Sequence, residues 1–179
     1  MNRKKTNYYT KIGVLSAIAF ILQVIGSIMQ LKVAGFLEIE FSDLPAIIGA
    51  LALGPLAGVL IEFIKNFLHL TISSTGFVGE LANFVINGIF VFTVGLVYAK
   101  NKTKKGAILA LISGCIIMPV AAAFANFFIM LPLYMPSAEF SAKLSLVLTT
   151  ITPFNFVRGA CLAIITILCY KSLSPILHK

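Results

Sequence analysis

Six apolar segments run through the chain and leave few folds open to it. They cover about residues 12–29, 43–53, 56–72, 80–98, 107–131 and 146–170. A helix needs about 20 apolar residues to cross the hydrocarbon layer of a membrane. Inside lipid every backbone polar group must be hydrogen-bonded within the protein, which suits a helix. The sequence therefore predicts an all-α integral membrane protein with six transmembrane helices, forming one domain over residues 1–179.

Composition supports this class. The chain is 59% hydrophobic and 11% charged, whereas a typical soluble domain has about 25% charged residues. Residues 1–11 and 171–179 are predicted as a cytoplasmic N-terminal segment and a cytoplasmic tail. The second segment is short for a full crossing, so we expect it to be tilted or re-entrant.

Local signals indicate where several of these helices begin and end. Ser42 and Asp43 before Leu44-Pro45 predict a helix start with a capping side chain and a proline in the first turn. Gly54-Pro55 predicts a tight break after the second helix. Residues 30–42 alternate apolar and acidic side chains, a weak strand signal, and residues 132–145 are predicted as a loop.

The distribution of basic residues predicts the orientation in the membrane. Six spans place both termini on one side, and the charges are strongly biased to that side. Its basic residues are Arg3, Lys4, Lys5, Lys11, Lys100, Lys102, Lys104, Lys105, Lys171 and Lys179, against Lys32 and Lys143 opposite. The positive-inside rule therefore predicts that both termini are cytoplasmic. The same bias explains the formal charge of +8 without nucleic acid as a partner.

The stretch Thr152–Gly159 places an amide and a guanidinium inside the last apolar segment. A charged side chain at the centre of a bilayer costs about 2.5–3.5 kcal/mol even on the insertion scale. Asn155 and Arg158 are three residues apart and share one helix face, while Pro153 is expected to bend or open the helix just before them. We interpret this face as lining a ligand cavity. The alternative is a polar clasp between helices.

Other polar side chains lie in the spans, and with this topology nearly all fall in the outer half. Asn83 and Asn87 are four residues apart in the fourth span, and Asn126 lies near the outer end of the fifth. The third span carries a polar stripe formed by Glu62, Lys65, Asn66 and His69. We expect Glu62 and Lys65 to neutralise each other or solvent-facing groups, and His69 to be a satisfied helix-end residue. Together these positions predict a cavity open to the extracellular side.

The chemistry of this cavity favours a neutral ligand. Amides combine a donor and an acceptor and suit an imide or hydroxyl edge, and nearby aromatic rings can stack on a planar group. The candidate rings are Phe77, Phe84, Phe127, Phe128, Phe154 and Phe156. No cluster of His, Cys and carboxylates has metal spacing, and no serine has a plausible catalytic partner set. The sequence therefore predicts neither an enzyme nor a metal site.

Small residues mark two faces that another helix can approach closely. Gly13 and Ala17 form such a step on the first span, and Ala107, Ala110 and Gly114 form one on the fifth. Docking of a partner helix and packing within the chain both remain open for these faces.

Five motifs together resemble the substrate-binding S-components of energy-coupling factor (ECF) vitamin importers, most of all their riboflavin-specific members. They are Glu40–Pro45 (EFSDLP), Leu53–Gly58 (LGPLAG), Ile61–Asn66 (IEFIKN), Leu131–Tyr134 (LPLY) and Pro153–Gly159 (PFNFVRG). The resemblance implies a six-helix S-component fold that captures one vitamin from outside. It also implies riboflavin as a transported ligand rather than a cofactor. The partners would be a transmembrane coupling protein of the EcfT type and two cytoplasmic ATPases, in keeping with the lack of a Gly-rich phosphate loop here.

By this resemblance Asn126, Asn155 and Arg158 would contact the flavin or its ribityl chain; the family has a lysine where this chain has Arg158. The loop 37–43, with Phe41 and Asp43, would help to close the site. The family's docking step on the first helix is usually alanine-xxx-alanine, and Gly13-xxx-Ala17 is the nearest match to it here. The complete ligand-binding prediction is Asn83, Asn87, Asn126, Asn155, Arg158, Phe41, Asp43 and Phe154.

Three other functions remain open at this point. One is an S-component for biotin, thiamine or pantothenate; a biotin carboxylate would be a natural partner for Arg158, whose charge argues against cationic thiamine. Another is a secondary transporter that acts alone, for which Glu62 is the candidate ion-coupling residue. The last is a membrane scaffold or assembly factor that binds no small molecule.

Overall fold

The structure, a computed structural model, describes the backbone of residues 3–29, 32–33, 37–38, 41–73 and 77–177. Side chains are described for residues 5–29, 41–73 and 77–170. Within the loop 37–43, which is expected to close the ligand site, Ile39 and Glu40 lie outside the described residues. Two strands of two residues each, β1 (Lys32–Val33) and β2 (Leu37–Glu38), pair antiparallel in this connection. The strand signal in residues 30–42 is thus confirmed.

Six helices account for most of the described part of the chain. They are α1 (Arg3–Met29), α2 (Leu44–Leu53), α3 (Pro55–His69), α4 (Val78–Lys100), α5 (Lys104–Ala125, Asn126–Met130 and Leu131–Tyr134) and α6 (Phe140–Leu146, Val147–Ile151 and Thr152–Leu177). The middle segments of α5 and α6 are π-helical turns. Helices α1, α4, α5 and α6 are long and apolar enough to cross a membrane. The six-helix prediction is confirmed, and α1 begins earlier than the apolar span because the basic N-terminal segment is also helical from Arg3.

Helices α2 and α3 form a tight hairpin of short helices. Helix α2 has 10 residues and α3 has 15, both shorter than the roughly 20 residues of a full crossing. Gly54 joins them with a backbone φ of 107°, a left-handed conformation that glycine adopts without steric cost. Pro55 occupies the first position of α3, where its missing N–H has no partner to lose.

Asp43 does not cap α2, and this part of the sequence prediction is wrong. The helix begins at Leu44 with Pro45 in its first turn, but the Asp43 side chain makes no capping hydrogen bond. Instead its carboxylate accepts hydrogen bonds from α3, α4 and α6. Charged donors from other helices bind a buried carboxylate more strongly than a neutral backbone N–H does.

The predicted loop over residues 132–145 is also wrong, because helix continues through most of it. Helix α5 runs to Tyr134 and α6 begins at Phe140, so the connection is only residues 135–139. Pro132 and Pro153 each lie two residues after a π-helical turn. A π turn shifts the hydrogen-bond ladder locally, and the shift accommodates a ring that would otherwise end or kink the helix. The expected opening of the helix beside Pro153 is thus present as a π turn.

The small residues of α5 serve packing within the chain. Ala107 and Ala110 are buried, and a Cβ added at Gly114 would lie 2.6 Å from the Phe90 ring and 2.7 Å from Val94 of α4. The small step on α1 is different. Gly13 and Ala17 are exposed, and a Cβ added at Gly13 would meet nothing within 4 Å. Of the two candidate faces, only the one on α1 remains open in the described structure.

Candidate ligand site

Polar side chains gather at one end of the helix bundle. They come from the C-terminal halves of α1, α3 and α5 and from the N-terminal halves of α2, α4 and α6, as an alternating up-and-down arrangement requires. The buried members are Gln23, Ser42, Asp43, Glu62, Lys65, Asn66, His69, Glu80, Asn87, Asn126 and Asn155. Buried polar groups must be satisfied within the protein or by a ligand. This end is therefore the candidate site.

Asp43 is the centre of the network. Its Oδ2 accepts a hydrogen bond from the Arg158 guanidinium at 2.6 Å, and its Oδ1 accepts from Lys65 Nζ at 2.7 Å and from Asn87 Nδ2 at 3.0 Å. The Asp43 side chain has 0% exposure. One carboxylate thus joins the start of α2 to α3, α4 and α6.

Lys65 shares its charge between two carboxylates. Its ammonium lies 2.7 Å from Asp43 Oδ1 and 2.7 Å from Glu62 Oε2, and all three side chains have 0% exposure. It also donates to Ser42 Oγ at 3.2 Å and to Asn83 Oδ1 at 3.4 Å. The expectation that Glu62 and Lys65 neutralise each other is confirmed. The three N–H groups of the ammonium are shared among these four acceptors. The contacts with Asp43, Ser42 and Asn83 hold α3 against the start of α2 and against α4.

A second group of contacts ties α1 to α3 and α4. Gln23 Nε2 donates to Asn66 Oδ1 at 3.5 Å. The two ring nitrogens of His69 lie 3.2 Å from Ser27 Oγ and 3.0 Å from Glu80 Oε1. His69 is therefore a satisfied residue at the end of its helix, as predicted.

Asn126 and Asn155 occupy related positions on α5 and α6. Asn126 begins one π-helical turn and donates to the Ala122 carbonyl at 2.8 Å. Asn155 follows the other turn and donates to the Ile151 carbonyl at 2.9 Å. Both are buried. The backbone carbonyl takes one of the two N–H groups of each amide, so each side chain keeps its oxygen as an acceptor, and one N–H, for a ligand.

The structure joins some of the predicted site residues and not others. Asp43, Asn83, Asn87 and Arg158 form one hydrogen-bonded network with Lys65. The Arg158 contact shows that a clasp between helices, the alternative considered from sequence, is present. Among the predicted aromatic contacts, Phe41 is 46% exposed and Phe154 is half-buried. The ring of Phe127 packs edge-to-face on Phe140.

The sequence of this chain matches a known family and known transporters. Residues 7–170 match the family model for the ECF transporter, substrate-specific component. This chain belongs to that family. The S component is 31% identical to the riboflavin transporter RibU of Staphylococcus aureus, over 100% of this chain and 96% of that protein. It is 33% identical to the riboflavin transporter FmnP of Bacillus subtilis, over 92% of this chain and 90% of that protein.

A solved structure of the S component of a bacterial ECF transporter has the same fold. The TM-score is 0.82 at 30% sequence identity, and the match covers 98% of this chain and 99% of the other. The S-component fold predicted from the motifs is thus confirmed. The family and the named relatives are transporter components, so this S component is not an enzyme.

Four buried oxygens of this S component accept no hydrogen bond from any described residue. They are Gln23 Oε1, Glu62 Oε1, Asn87 Oδ1 and Thr152 Oγ1. An unsatisfied buried polar atom costs about 1–3 kcal/mol, and the cost disappears when a ligand or a water donates to it. Asn87 lies on α4 and donates to Asp43, and Thr152 lies on α6, the helix that also carries Arg158. This part of the site thus offers acceptors to a ligand that carries donors.

Sequence reasoning missed part of this network. Gln23 and Ser27 of α1 were left out of the site, although two polar residues four apart in an apolar span were a usable signal. Lys65 was assigned only to Glu62, because its contact with Asp43 joins positions 22 residues apart. Spacing along one helix cannot reveal such a partner on another.

Proposed function

We propose that this S component is the high-affinity riboflavin-binding subunit of an ECF-type importer. It captures riboflavin on the extracellular side and delivers it to a transmembrane coupling protein with two cytoplasmic ATPases. The observation that carries the proposal is the buried polar network at one end of a chain related over its whole length to riboflavin transporters.

The chemistry of riboflavin suits this end of the bundle. The vitamin has a planar tricyclic ring, a uracil-like edge and a ribityl polyol, so it requires stacking surfaces, amide partners and acceptors for hydroxyl groups. Asn126 and Asn155 supply amide oxygens, and Asn87 and Thr152 supply buried acceptors. We assign ligand contact to Asn83, Asn87, Asn126, Asn155, Arg158, Phe41 and Phe154. Asp43, also predicted as a contact, is fully buried and acts through the Arg158 that it binds.

The charges argue against two of the alternatives. A biotin carboxylate would need Arg158, but that guanidinium already binds Asp43 at 2.6 Å. An ion-coupled transporter that acts alone would need an acidic residue available to a proton or cation. Glu62 was the candidate for this role. Its Oε1 accepts no hydrogen bond from a described residue, but its Oε2 lies 2.7 Å from the Lys65 ammonium and its side chain has 0% exposure, so an ion has no direct access to it. A neutral ligand requires neither ion pair to break.

The orientation follows from the charge bias. The lysines of residues 100–105 are exposed at the end opposite the polar site, and the positive-inside rule assigns that end to the cytoplasm. Both termini are then cytoplasmic, and the polar site opens outward. The exposed step at Gly13 and Ala17 lies in the half of α1 away from the polar site, where it allows close approach of a coupling-protein helix.

Transport by proteoliposomes tests this proposal. Riboflavin uptake is expected only when the coupling protein, both ATPases and ATP accompany the S component. Gly13→Leu is expected to reduce uptake at least about fivefold, because it fills the face that permits close helix contact, while leaving riboflavin affinity unchanged. Cys161→Leu adds bulk at an exposed position of α6 and serves as the control. Uptake by the S component alone would contradict the assigned partners.

A further inference from the structure

We propose that Asp43 sets the charge selectivity of the ligand site, so that neutral riboflavin is taken in preference to riboflavin 5′-phosphate. The inference rests on the proposed function and specifies the ligand class of the same site. Asp43, Glu62, Lys65 and Arg158 form the central cluster of the site. The basis of the inference is the contact, within this cluster, between the fully buried carboxylate of Asp43 and the partly accessible cation of Arg158.

Accessibility differs within the Asp43–Arg158 pair. The Asp43 side chain has 0% exposure, whereas that of Arg158 has 12% exposure, and their contact is 2.6 Å long. A ligand can therefore approach the guanidinium but not the carboxylate. Lys65, the other cation of the cluster, has 0% exposure. An anionic group on a ligand would thus contact Arg158, whose guanidinium is already paired with the buried carboxylate of Asp43.

The formal charges of the central cluster cancel. Asp43 and Glu62 are matched by Lys65 and Arg158, through contacts of 2.6 and 2.7 Å. A phosphate monoester carries about −1.5 to −2 charges at pH 7, and burying a charge is costly unless a partner compensates it. Because Arg158 already has its counter-ion, no cation of this cluster is left uncompensated for the phosphate. The neutral ribityl hydroxyl of riboflavin does not carry this cost.

Removing the Asp43 charge is expected to change the preference. In Asp43→Asn the guanidinium loses its counter-ion, and the cluster gains one net positive charge. Asparagine keeps the size of the side chain and an acceptor oxygen. We therefore expect affinity for the phosphorylated ligand to improve relative to riboflavin, whatever the variant does to both affinities together.

The experiment measures dissociation constants for riboflavin and riboflavin 5′-phosphate by quenching of flavin fluorescence in detergent. The quantity compared between variants is the dissociation constant for riboflavin 5′-phosphate divided by that for riboflavin. Wild type is expected to favour riboflavin, and Asp43→Asn is expected to lower the ratio about tenfold, which corresponds to about 1.4 kcal/mol. If Asp43 had only a structural role, Asp43→Asn would bind both ligands more weakly by the same factor, and the ratio would not change.

Glu62→Gln is the matched control, because it removes the same charge from the same cluster. Its counter-ion is the fully buried Lys65 rather than Arg158, so the ratio is expected to change far less. Arg158→Gln gives a second test if Asp43→Asn does not fold. It removes the accessible cation and leaves the charge of Asp43 without this partner. That charge then repels the phosphate, so the ratio is expected to rise at least about fivefold.

The outcomes distinguish failure of the charge-selectivity inference from failure of the proposed riboflavin-binding function. An unchanged ratio in Asp43→Asn, an equal change in Glu62→Gln, or a wild type that binds both ligands equally would overturn the charge-selectivity inference while riboflavin binding stands. If Asp43→Asn does not fold, an unchanged ratio in Arg158→Gln would overturn it in the same way. If folded wild type binds neither flavin, the proposed function is overturned and this inference falls with it.

Discussion

Replacing Lys65 with methionine is expected to destabilise the protein more than any other single substitution considered. The variant leaves Asp43 and Glu62 buried without the ammonium that lies 2.7 Å from each of them. Breaking a buried ion pair by removing one partner typically costs about 3–5 kcal/mol, because a charge is left uncompensated. We expect a markedly lower midpoint of thermal unfolding, measured by circular dichroism in one detergent.

Two further variants define the origin of this loss. Lys105→Met removes an exposed charge at the opposite end of the bundle and is expected to leave the midpoint unchanged. Glu62→Gln, combined with Lys65→Met, removes one of the two uncompensated carboxylates and is expected to recover part of the loss. A Lys65→Met protein as stable as wild type would show that the buried charges do not hold these helices together.

Asn155→Ala is expected to weaken riboflavin binding at least about tenfold without unfolding the protein. The Asn155 amide nitrogen is held by the Ile151 carbonyl at 2.9 Å, which fixes the side chain and leaves its oxygen for the ligand. A buried ligand donor that loses its partner costs about 1–3 kcal/mol, and tenfold in affinity corresponds to about 1.4 kcal/mol. Arg158→Ala is expected to have an effect of at least the same size.

Isothermal titration with riboflavin measures this loss, and circular dichroism confirms that the variants remain folded. Asn101→Ala alters an exposed amide at the other end of the bundle and is expected to bind like wild type. Unchanged affinity in both Asn155→Ala and Arg158→Ala would place the ligand site elsewhere.

The helices were predictable because lipid imposes one requirement on every residue of a span. Apolar segments of sufficient length must be helical, and the break at Gly54-Pro55 follows from local backbone chemistry. The loop over residues 132–145 was mispredicted because Pro132 signals a helix end only when the hydrogen-bond ladder is regular. The π-helical turn at Asn126–Met130 removes that condition, and nothing in the local sequence announces it.

The candidate site was only partly predictable, for a different reason. Asn155 and Arg158 stood out because polar groups are costly inside an apolar span. Asp43 was given a local role as a helix cap, because sequence shows neighbours and hides partners 115 residues away such as Arg158. In the same way, Gly13 and Gly114 have equivalent sequence patterns, and only tertiary packing reveals that one is exposed and the other is covered by Phe90.

Titration of the purified wild-type protein with riboflavin tests most directly whether riboflavin is the ligand of this site. We expect saturable quenching of flavin fluorescence with one riboflavin bound per chain, and no comparable response to biotin, thiamine or pantothenate. A folded protein that leaves riboflavin fluorescence unchanged at every concentration would contradict it, and the S-component fold would then have to serve another ligand.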